Sequence, residues 1–235
     1  MLLEVKDLNT YYGESHVLQG ISFTLDQGEI VALLGRNGMG KSTTLKSLMG
    51  LVKPRSGEII FRGKDIAGYP PYKVARAGIG YVPEERRIFA SLSVLENLSM
   101  GIKAEKAGKD NGWSLDRIFE HFPLLKKRSS SKGSHLSGGE QQMLAISRTL
   151  MGNPELLMID EPTEGLSPLL VKEVRDMVAD INKVGVSILL VEHNLKVATS
   201  LAHRIYLMGK AHIGFSGNVQ DLEAQPEIRE KYLEV

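Results

Sequence analysis

The chain has 235 residues and carries 29 Lys and Arg against 28 Asp and Glu, so its formal charge of +1 provides no global field that would attract nucleic acid or an anionic membrane. Cysteine is absent, which excludes disulfides and thiolate metal sites and fits a reducing, cytosolic compartment. No apolar run approaches the roughly 20 residues that span a bilayer, so we expect any membrane role to be by association.

Short apolar segments in the first third of the chain predict strands. LLEVKDLNTYY, ISFTL and EIIFRG are bounded by Gly and Asp and predict a small antiparallel sheet. EIVALLG (29–35) predicts a short buried strand that runs directly into a glycine-rich loop. KSTTLKSLMG then predicts an amphipathic helix that ends at Gly50.

Four later segments, GIGYV, ELLMID, SILLVEH and RIYLMG, also predict strands, with helical stretches between several of them. This alternation predicts an α/β fold with a mostly parallel sheet and helices on both faces. Residues from about 91 to 152 predict a helical subdomain, in which the lone Trp113 is expected to pack at the surface. We therefore predict one domain over 1–235, whose catalytic core comprises about 1–90 and 153–235.

The stretch GRNGMGKSTTL (35–45) contains the pattern GxxxxGK[ST] between the predicted strand and helix. Gly35, Gly38 and Gly40 would let successive backbone N–H groups converge on phosphate oxygens at a helix N-terminus. Lys41 would reach the β- and γ-phosphates, and the Ser42 hydroxyl would ligate Mg²⁺. The loop predicts a site for a nucleoside triphosphate with its metal, and a glycine turn that only caps a helix is the alternative.

LLMIDE (156–161) ends a predicted strand with two adjacent carboxylates. The carboxyl ends of strands in open α/β sheets border the nucleotide crevice, so both side chains can face it. Asp160 would hold the Mg²⁺ shell, and Glu161 would polarise the attacking water. A carboxylate that merely ends the strand is the alternative, and we prefer the functional interpretation because the phosphate loop lies in the same chain.

LSGGEQQMLAISRTLM (136–151) predicts a well-capped helix, with Ser137 as N-cap and Glu140 three residues later as in a capping box. Capping does not require Gly138 and Gly139 in the first turn, where each costs about 1 kcal/mol of helix propensity. Close approach of the backbone to another group, such as a phosphate at the helix N-terminus, explains these glycines better.

LSGGEQQ resembles the signature sequence of ATP-binding cassette (ABC) proteins, and the other family motifs occur in the expected order over essentially the whole chain. The resemblance implies the ABC ATPase fold: a P-loop NTPase core, an N-terminal antiparallel β-subdomain and an inserted α-helical subdomain. It also implies that two cassettes associate head to tail around two ATP molecules. The residues expected to contact the ATP of the partner subunit are Leu136, Ser137, Gly138, Gly139 and Glu140.

The same resemblance assigns further site residues. Tyr12 matches the aromatic residue that stacks on adenine, with a plain strand tyrosine as the alternative, and His193 matches the switch histidine that contacts γ-phosphate beside Glu161. Lys41, Glu161 and His193 are the expected catalytic residues. Ser167, in GLSP, occupies a position where many cassettes carry Asp. The expected ATP-binding residues are Tyr12, Gly35, Arg36, Asn37, Gly38, Met39, Gly40, Lys41, Ser42, Thr43 and Glu84.

Glu84, in YVPEERRIF, is a departure from the family pattern. The family usually carries Gln after this strand, where the side chain reaches the metal and the water and senses the transport partner. Glutamate keeps an oxygen ligand but adds charge. The expected metal ligands are therefore Ser42, Glu84 and Asp160, and a solvated charged turn is the alternative for EERR.

VPEERRIFASLSVLENLSMG resembles the corresponding segment in ATPase subunits of branched-chain amino acid importers, as do YYGESHVLQGISF and EPTEGLSP. This resemblance implies a peripheral subunit at the cytoplasmic face of the cell membrane that uses ATP and Mg²⁺. Its partners would be permease subunits, a second ATPase subunit and, indirectly, a solute-binding protein, with no nucleic acid. ATP binding would close the dimer, and hydrolysis would reopen it.

Other members of the family remain alternatives. Urea and other amide importers share much of this pattern, usually with Gln in place of Glu84, and other transporters, including lipid exporters, use similar ATPases. Soluble cassette ATPases that act on DNA or ribosomes form a different class. Chromosome and repair ATPases carry long coiled coils and translation factors carry two cassettes, and this sequence shows neither feature.

Overall fold

The computed structural model describes residues 1–103 and 112–233. Its first sheet is antiparallel, in the order β2-β1-β4-β5, and consists of β1 (Leu3–Tyr12), β2 (Ser15–Leu25), β4 (Ser56–Phe61) and β5 (Lys64–Asp65). The predicted antiparallel sheet is confirmed. β2 extends further than the predicted ISFTL because the β1–β2 hairpin pairs from Tyr12 and Ser15 onward.

The second sheet has the order β10-β9-β3-β8-β7-β6. Its strands are β3 (Ile30–Leu34), β6 (Ile79–Val82), β7 (Leu156–Asp160), β8 (Ser187–Glu192), β9 (Arg204–Gly209) and β10 (His212–Gly217). All neighbours are parallel except β9 and β10. The prediction missed β10 because its residues alternate between exposed and half-buried and form no apolar run.

Helices cover both faces of this sheet. They are α1 (Lys41–Leu48), α2 (Pro71–Ala77), α3 (Val94–Ser99), α4 (Leu115–His121), α5 (Pro123–Lys127), α6 (Gly138–Leu150), α7 (Pro168–Lys183), α8 (Leu195–Leu201), α9 (Val219–Glu223) and α10 (Pro226–Leu233). β7 and β8 are buried at every residue, as expected for parallel strands that are covered on both sides. The predicted α/β fold class is confirmed.

Alternate residues of the central strands pack against different layers. Leu157 and Ile188 join the core formed with α6 and α7, whereas Leu156 and Leu189 join the core formed with the antiparallel sheet and α1. The carboxyl ends of β3, β7 and β8 therefore lie between two packed layers. Side chains that follow these strands are therefore supported by packed residues on both sides of the sheet.

α3 to α6 form the helical region that the sequence predicted for about 91–152, although residues 104–111 of that region lie outside the described part of the chain. The exact subdomain boundaries stay a prediction. The expectation for Trp113 was wrong, because its side chain is 6% exposed and its ring stacks with Phe122 at a centroid distance of 6.3 Å. Trp113 belongs to the core of the helical region.

α6 begins at a capping box in which the Ser137 and Glu140 side chains each accept a backbone N–H of the other residue. Because the side chain of Leu144 in this helix is fully buried, we expect Leu144→Ala to lower the free energy of unfolding by about 2–5 kcal/mol. Leu169→Ala is the control, since Leu169 is 67% exposed at the start of α7. Urea denaturation would contradict the packing if both variants changed stability equally.

Within residues 1–103 and 112–233, none of the helices has the length and apolarity needed to cross a membrane.

Candidate functional site

The predicted phosphate loop connects β3 to α1, and two of its glycines are required by the packing of this chain itself. A Cβ on Gly35 would lie 2.3 Å from the carbonyl oxygen of Met208 in β9. Gly40, the N-cap of α1, has φ 100°, a conformation that strains other residues. The loop borders a cavity of about 270 Å³ at the carboxyl ends of the strands, which Asn37, Gly38 and Gly40 to Thr43 help to line.

Lys41 is buried at the floor of this cavity. Its Nζ donates to the carbonyl oxygens of Gly35, at 2.9 Å, and Arg36, at 3.3 Å, and lies 3.2 Å from Glu161 Oε1. These contacts fix the ammonium group beside the loop. The residue that the sequence singled out for phosphate contact is therefore already oriented toward the predicted base.

Asp160 and Ser42 meet at the edge of the same cavity. The Ser42 hydroxyl donates to Asp160 Oδ1 at 3.1 Å, and the Tyr81 hydroxyl donates to Oδ2 at 3.3 Å. Burial raises the pKa of Asp160 to about 6, partly offset by the Ser42 hydrogen bond, and the nearby charge of Glu161 adds to the rise. Sequence analysis missed Tyr81, which lies on the neighbouring strand β6 and is brought to Asp160 only by sheet pairing.

Glu161 connects the two other predicted catalytic residues. Its Oε1 faces Lys41, and its Oε2 lies 3.1 Å from Nδ1 of His193. Burial alone would raise the pKa of Glu161, but the Lys41 ammonium and His193 outweigh it, so the pKa lies below its ordinary value. Glu161 also has φ 44°, an uncommon left-handed conformation for a residue with a side chain.

Glu84 is exposed and lines the cavity together with Glu161 and Glu164. Partial burial and the neighbouring carboxylates Glu161 and Glu84 raise the pKa of Glu164. The sequence had not singled out Glu164. The cavity is thus lined by three carboxylates and by Lys41, so a cation and an anion can both be accommodated there.

The oxygen donors fit a hard divalent cation. Ser42 and Asp160 offer a hydroxyl and a carboxylate, and Glu84 lines the same cavity. Across 1–103 and 112–233, no group of three or more His, Cys, Asp or Glu side chains is arranged to hold a metal by itself. This pattern fits Mg²⁺, which proteins usually hold by one or two carboxylates together with substrate phosphates and water.

Tyr12 lies apart from this cavity. Its side chain is 47% exposed at the end of β1, and Val17 of β2 is the hairpin residue that lines the cavity instead. The neighbouring Tyr11 stacks on His16 at a centroid distance of 4.0 Å, and the Arg55 guanidinium lies 3.7 Å from the centroid of the Tyr11 ring. The hairpin thus presents Tyr12 as an exposed aromatic side chain that does not line the cavity.

The signature residues lie at the start of α6, and none of them is among the described residues that line the cavity. Ser137 is exposed, and Leu136 is buried. Glu140 points inward, where Arg128 Nε donates to it at 3.0 Å. Its pKa is lowered, because the hydrogen bonds from Ser137 and Arg128 outweigh the effect of burial.

The two signature glycines have different surroundings. A Cβ on Gly139 would lie 2.6 Å from Leu170 Cδ2 in α7, whereas a Cβ on Gly138 would lie 3.0 Å from Arg86 Nη1. Packing within the chain therefore accounts for Gly139 without any phosphate. Arg86 is a flexible neighbour that can move, so Gly138 is the more open of the two positions.

The family model of the ABC transporters matches residues 18–164, which include the phosphate loop, the signature residues and Glu161. The chain belongs to the ABC transporter family. ABC ATP-binding proteins bind and hydrolyse ATP, and this chain is an ATPase of that family. His193 lies beyond the matched residues, so its place beside Glu161 is known from the geometry alone.

Two curated ABC proteins extend the similarity to nearly the whole chain. BraG, the high-affinity branched-chain amino acid transport ATP-binding protein of Pseudomonas aeruginosa, is 39% identical over 233 residues, which cover 99% of each chain. LptB, the lipopolysaccharide export system ATP-binding protein of Haemophilus influenzae, is 32% identical over 99% of this chain and 97% of its own length. Both relatives are ATP-binding proteins of transport systems, but the two systems carry different substrates.

Solved ABC structures share the fold. A nucleotide-free ATP-binding cassette from an ABC transporter superposes with a TM-score of 0.84 at 26% identity and covers 97% of each chain. An ATP-binding subunit of an ABC transporter gives a TM-score of 0.81 at 32% identity, over 100% of this chain and 97% of that one. This chain therefore has the fold of an ABC cassette.

Proposed function

We propose that this chain is the ATP-hydrolysing subunit of a membrane ABC importer for branched-chain amino acids. The observation that carries the ATPase part is that Lys41, Ser42 and Glu161 line one cavity, with Asp160 in contact with Ser42 and His193 in contact with Glu161. The 39% identity to BraG over 99% of both chains supports the substrate class.

Each side chain has a role that its contacts support. Lys41 and the loop N–H groups hold the β- and γ-phosphates, and Ser42, Asp160 and Glu84 hold Mg²⁺, which neutralises phosphate charge. Glu161 is ionised at neutral pH and orients and polarises the attacking water. His193 contacts the Oε2 atom of that carboxylate. Tyr12 and the loop residues Arg36, Asn37, Met39 and Thr43 complete the nucleotide contacts.

A second cassette completes the site. The signature residues of this chain do not reach its own described cavity, and Ser137 and Gly138 lie open at the start of a 13-residue helix. Because a helix N-terminus favours an anion, these residues suit the γ-phosphate held by a partner cassette. ATP then stabilises the closed dimer, and loss of the γ-phosphate removes that stabilisation.

The permease surface we propose is a groove of about 460 Å³ between α2 and the helical region. Its exposed apolar side chains include Leu51, Phe89, Met100 and Ile102, which a permease segment with an apolar face would cover. Arg148 of α6 connects this groove to the Glu84 segment, because its Nη2 donates to the carbonyl oxygen of Arg87 at 2.7 Å. Arg148 thus links the groove, the signature helix and the Glu84 segment.

Met100→Glu places a charge in this groove, where Met100 is 62% exposed. We expect co-purification of the permease to fall by about tenfold or more, because a buried unpaired charge disfavours the complex. Val184→Glu is the control, since Val184 is exposed at the end of α7 and does not line the groove. Equal recovery of the permease with both variants would place the permease elsewhere.

The substrate is tested by finding the partners and then measuring transport. The tagged chain would be recovered from gently solubilised membranes with ATP and vanadate, and its partners identified by mass spectrometry. Proteoliposomes with those permeases and the binding protein should accumulate leucine or valine in an ATP-dependent manner. Uptake of urea or another amide, or partners that export a lipid as LptB does, would replace the proposed substrate.

The same recovery tests the location. We propose that the subunit is peripheral at the cytoplasmic face of the cell membrane and is held there by the permease. Recovery with ribosomes or DNA and without a membrane partner would favour a soluble cassette ATPase.

A further inference from the structure

Glu192 is a fully buried carboxylate at the end of β8, and the roles assigned above do not use it. Among the residues that the structure describes, no Lys, Arg or His side chain forms a salt bridge with it. A buried carboxylate without a cationic partner is costly unless hydrogen bonds replace the lost water. The hydrogen-bond donors that replace water identify the segments that Glu192 contacts.

Four hydrogen bonds reach the carboxylate, two on each oxygen. Oε1 accepts the backbone N–H of Thr163 at 3.2 Å and the Thr163 hydroxyl at 2.6 Å. Oε2 accepts the backbone N–H groups of His193 at 3.2 Å and Asn194 at 3.1 Å. One side chain thus connects the segment that follows Glu161 with the segment that carries the switch histidine.

These two segments determine how Glu161 and His193 meet. The left-handed backbone of Glu161 is a conformation that persists only where surrounding structure fixes it, and Thr163 is two residues away. His193 has a side chain that is 45% exposed, so packing alone fixes it weakly. The hydrogen bond of 3.1 Å between Glu161 Oε2 and His193 Nδ1 requires that both backbone segments keep their relative position.

We propose that Glu192 is a positioning residue for hydrolysis, which sets the Glu161–His193 pair by fixing the main chain on both sides of it. This inference rests on the proposed roles of Glu161 and His193. A carboxylate suits the position because three residues donate four hydrogen bonds to it, and both oxygens can accept. Its strand, β8, lies between β3 and β7, and Glu192 pairs with Leu34, the residue before the phosphate loop.

Glu192→Gln tests the proposal with little change in shape. The amide has one oxygen and one NH₂ group, so in either orientation at least one backbone N–H would face another donor. We expect kcat for ATP hydrolysis by the full chain to fall by at least about tenfold, since misplacing a catalytic group by 1 Å can cost about 100-fold. The KM for ATP should change by less than about threefold, because the phosphate loop keeps its own contacts.

Hydrogen exchange supplies a readout that does not depend on activity. In Glu192→Gln, the amides of Thr163, His193 and Asn194 should exchange faster than in the wild type. Ile188→Val, a milder change in the buried part of the same strand, controls for general loss of stability and should leave these amides and kcat close to wild type.

Thr163 provides a second pair of variants if Glu192→Gln does not fold. Thr163→Val removes only the hydroxyl donor and should lower kcat by about threefold, whereas Thr163→Ser keeps the donor and should restore it. The proposal is overturned if the amides lose protection while kcat stays within about twofold, or if Thr163→Ser and Thr163→Val behave alike. An error in the proposed ATPase site can be distinguished from an error in the role of Glu192, because Glu161→Gln would then hydrolyse ATP at the normal rate.

Discussion

Glu161→Gln is expected to lower the rate of ATP hydrolysis by about 10²–10⁴-fold while ATP binding persists. The carboxylate is ionised at neutral pH because Lys41 and His193 lower its pKa, so the substitution removes a charged base. Lys41 remains bound to the carbonyl oxygens of Gly35 and Arg36, so the phosphate contacts survive. Closure of the dimer with ATP should therefore become long-lived.

Two measurements check this expectation: phosphate release at saturating ATP, and the size of the ATP-bound species by light scattering. Glu155→Gln is the matched control, because Glu155 precedes the same strand β7 at its other end and forms an exposed pair with Arg62. Exposed ion pairs contribute little, so the control should hydrolyse ATP normally. Normal turnover by Glu161→Gln would remove this residue from the chemistry.

Lys41→Ala is expected to weaken ATP binding by more than about tenfold and to abolish detectable hydrolysis. The side chain is 4% exposed and supplies the buried cation of the cavity floor, which pairs with Glu161. Its removal eliminates the cation for the phosphates and leaves the Glu161 carboxylate without that partner. The loss of Lys41 therefore affects both ATP binding and the catalytic base Glu161.

Isothermal titration with ATP and Mg²⁺ measures the binding loss, and thermal unfolding without nucleotide checks that the variant folds. Lys46→Ala is the control, since Lys46 lies in the last turn of the same helix and does not line the cavity. An unchanged dissociation constant in Lys41→Ala would mean that the nucleotide binds elsewhere.

Contiguous motifs made most of the site predictable. The loop from Gly35 to Ser42 and the Asp160–Glu161 pair each follow a buried strand, and parallel strands bring their carboxyl ends together. The apolar segments therefore predicted the α/β core, and the GxxxxGK[ST] motif predicted the position of the phosphate site. The resemblance to ABC proteins added His193, whose distance from Glu161 along the sequence conceals the contact.

Tertiary contacts between distant segments were not predictable. Tyr81 reaches Asp160 through pairing of β6 with β7, and Gly139 is explained by Leu170 of a later helix. Trp113 follows a polar stretch, which suggested a surface position, yet its ring packs into the helical region. In each case the residue that makes the contact lies on another element, so the local sequence does not predict the contact.

The strand order has a consequence for biosynthesis. β3, which leads into the phosphate loop, ends at Leu34, but its two neighbours in the sheet, β8 and β9, begin at Ser187 and Arg204. β3 can therefore pair with both neighbours only after the chain has been synthesised through β9. Pairings so distant in sequence form slowly.

Until then, an apolar strand and the loop behind it are unprotected, and nascent chains of this kind are vulnerable to aggregation and to chaperone capture. A polypeptide interrupted before Ser187 would carry every residue from Gly35 to Glu161 yet lack the two strands that hold the loop in place. The loop that follows β3 therefore reaches its packed position only after β8 and β9 have been synthesised.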